Sequence, residues 1–279
     1  MWTWLFLAIA IPVIGAAAAA HGRYRRERAE AEGAMAALAA RAQAPRGSFD
    51  PAMIADLPEV ARRYFAHAIA PGTPLRTTVR LDMRGSFLLG RRDSYQTYAL
   101  EARQVLAPPA EFVWMPRMRS GVLRISGSDA LVQGHGWTRF WMNGLVPVVA
   151  AQGSPDLDRS ALTRAAMEAI WAPASLLPAH GAVWEQTGPD SARIGFATGV
   201  EPMHLTLGPD GRVVEIQAMR WSHENPERRF RLQPFGGTVE AEARFHGFTI
   251  PSRVRIGNHF GTADYLPFFQ VEITRADYS

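Results

Sequence analysis

Residues 75–87 read LRTTVRLDMRGSF, and their alternation decides the fold class. Leu75, Thr77, Val79, Leu81 and Met83 fall on one side, and Arg76, Arg80, Asp82 and Arg84 on the other. That is the period of a half-buried strand, whose successive side chains point to opposite faces. The stretch just upstream has a different period. In LPEVARRYFAHAIA (57–70), Leu57, Val60, Ala61, Tyr64, Phe65, Ala68 and Ile69 share one helical face, and PGTP (71–74) ends the helix. The change from helical to strand period therefore falls at residue 75.

The strand pattern persists downstream through YQTYALEARQVLA (95–107), EFVWMPRM (111–118), GVLRISG (121–127) and DALVQG (129–134). GWTRFWMNGLVPVVAA (136–151) follows, rich in aromatic residues and ending in an apolar run. One helix interrupts, DRSALTRAAMEAIW (158–171), with Asp156, Asp158 or Ser160 as its N-cap and Pro173 beyond its end. Strands then resume over 182–188, 191–199, 203–208, 212–222, 227–235, 238–248, 252–260 and 268–278, with GPDGR (208–212) as a clear turn. So many short strands at even spacing predict consecutive antiparallel pairing. The expected fold is mainly β (α+β): a strongly curved antiparallel sheet or half-barrel with packed helices. Alternating βαβ units are absent, which excludes a Rossmann-type sheet.

Residues 1–20, MWTWLFLAIAIPVIGAAAAA, carry no charged side chain, and as a helix they would match a bilayer core of ~30 Å. Trp2 and Trp4 sit where an interfacial aromatic belt would lie. A cleaved signal peptide is the rival reading, but no Lys or Arg precedes the apolar run. The expectation is an uncleaved transmembrane helix, a single-pass anchor in the cell inner membrane with the lipid bilayer as a partner. The arginines of HGRYRRER then predict a cytoplasmic globular domain by the positive-inside rule. Residues 21–46 read as a basic helical stalk and linker, with Arg23–Glu27, Arg26–Glu30 and Arg28–Glu32 at i,i+4 spacing. A solvated spacer is favoured there over a surface for anionic lipid. Residues 47–279 form the curved antiparallel β domain with helices.

Composition narrows the chemistry. Of the 279 residues 47% are hydrophobic and 20% charged, which excludes wholesale disorder. Cys is absent, so disulfides, thiol nucleophiles and thiolate metal sites are excluded. Lys is absent too, which excludes Schiff-base chemistry and a P-loop. The net charge is +4, but residues 21–46 hold six Arg against three Glu, and the remaining 24 Arg face 23 acids. The globular part is nearly neutral, so no nucleic-acid partner is expected. No metal site or cofactor motif is present in the sequence.

The central helix carries the best constellation. Arg164, Glu168 and Trp171 fall at i, i+4 and i+7 on one face, while Leu162, Ala165, Ala166 and Ala169 can pack on a sheet. Trp114, Trp141 and Trp221 stand in predicted strands and could line a concavity with them, a setting for an apolar or lipid-like ligand. The first functional expectation is thus a non-catalytic binding module with these six residues as its candidate pocket. The alternative is a hydrolase-type enzyme using a carboxylate/His pair, drawn from Asp129, Glu168 and the His135 of QGHGW. His223, in RWSHENPERR, reads as a surface strand end. A scaffold for another membrane protein is a third reading, favoured by an exposed apolar patch without a pocket.

LPEVARRYFAHAIAPGTP (57–74), GHGWTRFWMNGLVPVV (134–149), LTRAAMEAIWAPASLLP (162–178) and GFTIPSRVRIG (247–257) resemble an uncharacterised bacterial family of membrane-anchored domains of unknown function. The stretch with Arg164, Glu168, Trp171 and Pro173 is the strongest part of the match. The resemblance implies a layout similar to lipoprotein-carrier half-barrels, in which helices plug the concave side of a bent antiparallel sheet. It implies no catalytic residues.

Overall fold

The computed structural model describes residues 2–42, 44–45, 47–91 and 94–279, and their side chains except at 2–11 and 91. Trp2 and Trp4 of the expected aromatic belt fall among those excepted side chains, and Arg46 of the basic stretch lies outside the described residues.

The first half of the sheet contains β1 (Val79–Arg91), β2 (Ser94–Ala107), β3 (Glu111–Ser120), β4 (Leu123–Val132), β5 (His135–Met142) and β6 (Val146–Gln152). The second contains β7 (Ala182–Gly188), β8 (Ser191–Phe196), β9 (Met203–Leu207), β10 (Val213–Ser222), β11 (Arg231–Phe245), β12 (Phe248–Asn258) and β13 (Leu266–Tyr278). Each half is a meander of consecutive antiparallel pairs, and the pairing of β1 with β13 joins them into one sheet. The sheet is curved and unclosed, with β6 and β7 at its edges. Register shifts after Asp82, Val213, Val239 and Ile256 interrupt the ladders. Such bulges bend a strand and increase its twist.

The alternation read at 75–87 is present in β1: Val79, Leu81 and Met83 are buried, and Arg80 and Arg84 are exposed. Two predicted boundaries move. The strands expected over 121–127 and 129–134 are one strand, β4, and those expected over 227–235 and 238–248 meet in β11. The aromatic run at 136–151 is a hairpin, β5–β6, turned at Asn143–Gly144, both with positive φ.

Helix α2 (Glu59–Ala68) buries Val60, Ala61, Tyr64, Phe65 and Ala68, the face expected from sequence. Its Tyr64 and Phe65 rings pack on Trp184 of β7, each with centroids 5.3 Å apart. Helix α3 (Pro155–Met167) begins the crossover from one edge of the sheet to the other. Pro155 opens it and Ser154 is its N-cap residue, so Asp156 and Asp158 lie in the first turn, where acids favour the helix dipole. They also tie the two halves of the sheet together. Asp158 accepts a hydrogen bond from the Gly136 amide of β5 at 2.6 Å, and Asp156 accepts one from Trp221 Nε1 of β10 at 2.6 Å. After Met167 the chain tightens into 3-10 turns at 168–171, 173–176 and 178–180, and residues 169–177 are wholly buried on the concave side.

The N-terminal expectation needs correction. Helix α1 runs unbroken over Trp2–Ala40, through the boundary expected at residue 20. Among the described residues no helix is long and apolar enough to cross a membrane. The single-pass anchor, the inner-membrane address and the cytoplasmic orientation inferred from it are therefore not supported. The apolar run fades into Gly15 and Ala16–Ala20 and then into the Arg- and Glu-rich stretch. That stretch is no solvated spacer. Ala31, Met35 and Leu38, at i, i+4 and i+7, pack on Val105, Val113, Met115 and Ala130 of β2, β3 and β4, on the face away from α3. Polar contacts extend the seam, from Tyr24 to Ser126 at 3.0 Å, Arg139 to Glu30 at 2.8 Å and Arg41 to Glu111 at 2.9 Å.

Candidate functional site

The concave face encloses a cavity of about 530 Å³ between α3 and the sheet. Its back wall is a row of aromatic rings running across the sheet from β5 to β11. Phe140 of β5, Trp114 of β3, Phe87 of β1, Phe268 of β13 and Phe235 of β11 follow one another, with centroid separations of 6.3, 6.2, 5.2 and 6.3 Å. All five line the cavity. These are ordinary aromatic contact distances, so the row is a continuous apolar surface rather than isolated rings.

Opposite the row stands a polar group centred on Arg164 of α3. Its Nη1 donates to Asp129 Oδ2 at 2.6 Å, and its Nε donates to Glu168 Oε1 at 2.7 Å. Thr138 donates to Asp129 Oδ1 at 2.7 Å, and Gln104 Nε2 donates to Glu168 Oε2. Each carboxylate oxygen thus has a donor. The guanidinium also lies over the rings of Phe112 and Trp114, at 4.4 and 5.0 Å from their centroids. Burial disfavours its charge, but the carboxylates of Glu168 and Asp129 outweigh that and hold its pKa above the ordinary value.

Arg220 of β10, on the same cavity wall, is placed differently. Its Nε donates to Ser160 Oγ at 3.0 Å, and its guanidinium lies 4.8 Å from the Phe235 centroid. No carboxylate forms an ion pair with it among the described residues. Burial pushes its pKa down to about 10, against a partial pull upward from Asp129. Beyond it, the 223–230 loop contributes His223, Glu224, Arg228 and Phe230 to the lining, and Arg228 is bonded to Glu224 at 3.2 Å.

Of the six residues expected from sequence, Trp114, Arg164, Glu168 and Trp171 line this cavity. The i,i+4 contact between Arg164 and Glu168 forms, although the helix gives way to a 3-10 turn at Glu168. Trp171 Nε1 donates to the Pro251 carbonyl at 3.0 Å. Trp141 is on the other face of the sheet, under α1, where its Nε1 donates to Glu27 at 2.7 Å and its ring meets Tyr24. It faces away because β5 alternates, so Phe140 and not Trp141 points to the cavity. Trp221 lies beside the cavity and does not line it; its indole is held by Asp156 and stacked on Phe230, 6.4 Å between centroids. The groups of the hydrolase alternative do not converge. Asp129 and Glu168 meet on Arg164, whereas His135 is exposed at the β4–β5 turn, three register steps from the Asp129–Thr138 pair. His223 is not only a surface strand end, since it lines the cavity.

Sequence reading missed the phenylalanine row and Arg220. The Phe residues lie far apart in the chain, so no local signal joins them. Arg220 had a local signal, because alternation in RVVEIQAMRWS places it on the face of Ile216 and Ala218, which are buried.

A family model, described as a family of unknown function and designated DUF6544, matches residues 47–271. Among solved structures the chain is similar to a LolA superfamily protein from Nitrosomonas europaea, with 9% identity over 79% of this chain and 92% of that one, at a TM-score of 0.43. It is also similar to a DUF1329 family protein from Desulfovibrio piger, with 8% identity over 79% of this chain and 90% of that one, at a TM-score of 0.40. No curated protein matches it.

Proposed function

The chain belongs to the DUF6544 family of unknown function, and we propose that it is a non-catalytic binding module whose concave cavity holds an apolar, lipid-like molecule. One observation carries the reading: the row of five aromatic rings forms the wall of a cavity of about 530 Å³. Small-molecule sites span ~300–1,000 Å³ and are lined mainly by apolar and aromatic groups with a few placed polar ones. An apolar wall facing water has a standing drive to be covered, roughly 25 cal/mol per Å² of surface removed from water. The cavity also favours this reading over a scaffold, which would need an exposed patch and no pocket.

The test is native mass spectrometry of the full chain purified without added detergent, with solvent extraction of whatever accompanies it. The expected result is a bound apolar species that denaturation releases. Phe268→Asp, which places a charge in the middle of the row, is expected to abolish co-purification while the circular dichroism spectrum of the β domain stays. An empty wild-type protein that also fails to take up a neutral dye such as Nile red would overturn the reading.

A further inference from the structure

We propose that the occupant of this cavity is an amphipathic acid, its apolar chain lying along the aromatic row and its carboxylate taken by the fork of Arg220. This deepens the binding role proposed above and rests on it.

The argument starts from which charges are already satisfied. Asp129 and Glu168 have all four oxygens occupied by Arg164, Thr138 and Gln104. At the loop, Glu224 is bonded by Arg228. Arg220 alone among these cations has no carboxylate on it; its one hydrogen bond uses Nε, and its two terminal nitrogens have no protein partner among the described residues. Those nitrogens carry four N–H donors in a planar fork, the geometry that binds a carboxylate through two parallel bonds. A guanidinium so desolvated costs stability unless something of opposite charge comes to it, and the lowered pKa is the sign of that cost.

Position gives the second half of the argument. Arg220 lies over Phe235, the last ring of the row. A linear apolar chain laid from Phe140 to Phe235 therefore ends at Arg220, which among the described arginines of the lining is the one without a carboxylate partner. A single guanidinium matches a single negative charge. A ligand without an acid would leave the fork unpaired, and a short acid without a chain would leave the rings uncovered.

The experiment displaces Nile red from the full-length protein with palmitate, with methyl palmitate and with acetate. Palmitate is expected to bind about ten- to a hundredfold more tightly than its ester, the ratio a charge-assisted hydrogen bond confers. Acetate is expected not to displace the dye. The palmitate advantage should fade on acidification as the fatty-acid carboxyl protonates. In Arg220→Met the ratio of ester to acid dissociation constants should collapse towards one. In Arg220→Lys, which keeps the charge and loses the fork, it should fall part of the way. Arg84→Gln, on the outer face and remote from the cavity, should leave the ratio unchanged. Equal wild-type affinities for acid and ester would overturn the acid proposal while leaving the apolar-ligand reading intact. Failure of the dye and both palmitate species to bind at all would overturn the reading beneath it.

Discussion

Tryptophan and phenylalanine divide the interior by a property of the indole. A buried indole N–H needs an acceptor, and the partners found for Trp141, Trp171, Trp184 and Trp221 are Glu27, the Pro251 and Leu176 carbonyls and Asp156. Each is thereby fixed to a polar neighbour at the rim, in the crossover or on the far face. Phenylalanine makes no such demand, and four of the five rings of the aromatic row are Phe. Trp114 is the exception, and its Nε1–H has no partner among the described residues. Counting tryptophans therefore points towards the cavity but misses most of its wall. The Arg164 group obeys the harsher rule for buried charge. Arg164→Met leaves two nearly buried carboxylates without their cation and is expected to cost about 3–5 kcal/mol in urea unfolding. Adding Asp129→Asn and Glu168→Gln removes the stranded charges, and most of the loss should return. If the triple variant is as unstable as the single one, the ion pairs are not what Arg164 contributes.

At the scale of elements, the strands were legible because one residue's choice of face is a local property. Leu81 and Arg80 separate in the sequence as they do in the sheet. Helix α1 was harder. Its docking stripe of Ala31, Met35 and Leu38 has the right spacing but is diluted by the exposed Ala36, Ala37 and Ala40, and the arginines around it suggest a solvent-facing rod. The partners of Glu30 show the same difficulty: it meets Arg139 across the fold and not Arg26 one turn away. That the sheet curves was expected from its many short, evenly spaced strands, but the points where neighbouring strands approach most closely were not legible, since they depend on the register between strands. At Gly257 of β12 an added Cβ would overlap the carbonyl oxygen of Leu266, and at Gly237 of β11 that of Arg255. Gly257→Ala is expected to lower stability by about 1–3 kcal/mol, the usual cost of overpacking. Gly195→Ala, in β8 with nothing within 4 Å of the new atom, should be neutral or slightly stabilising. Chemical denaturation of the pair separates the two cases, and equal midpoints would mean that close approach at Gly257 does not constrain the bend.

The whole molecule is two meanders held by three devices that no window of sequence contains. The first is the seam, where Val79–Phe87 pairs with Phe269–Tyr278 from the other end of the chain. The second is α3, whose Asp158 holds β5 and whose Asp156 holds β10. The third is the aromatic row, which passes from Phe87 to Phe268 across that same seam. Because the cavity wall is drawn from both meanders, neither half retains it alone, and the fold should come apart as one unit. Leu81, wholly buried on β1 opposite Ala276, tests this. Leu81→Ala is expected to cost about 2–5 kcal/mol and to lower the midpoint of a single transition, with far-ultraviolet circular dichroism and tryptophan fluorescence still coincident. Fluorescence reports both halves, since Trp141 lies in the first meander and Trp184 in the second. A Leu81→Ala protein that unfolds in two steps, with one meander surviving the other, would show that the seam joins two independent domains and that the cavity is only their chance boundary. Refolding should also be slow, because the seam pairs strands nearly the whole domain apart and loop closure must precede the contacts that reward it.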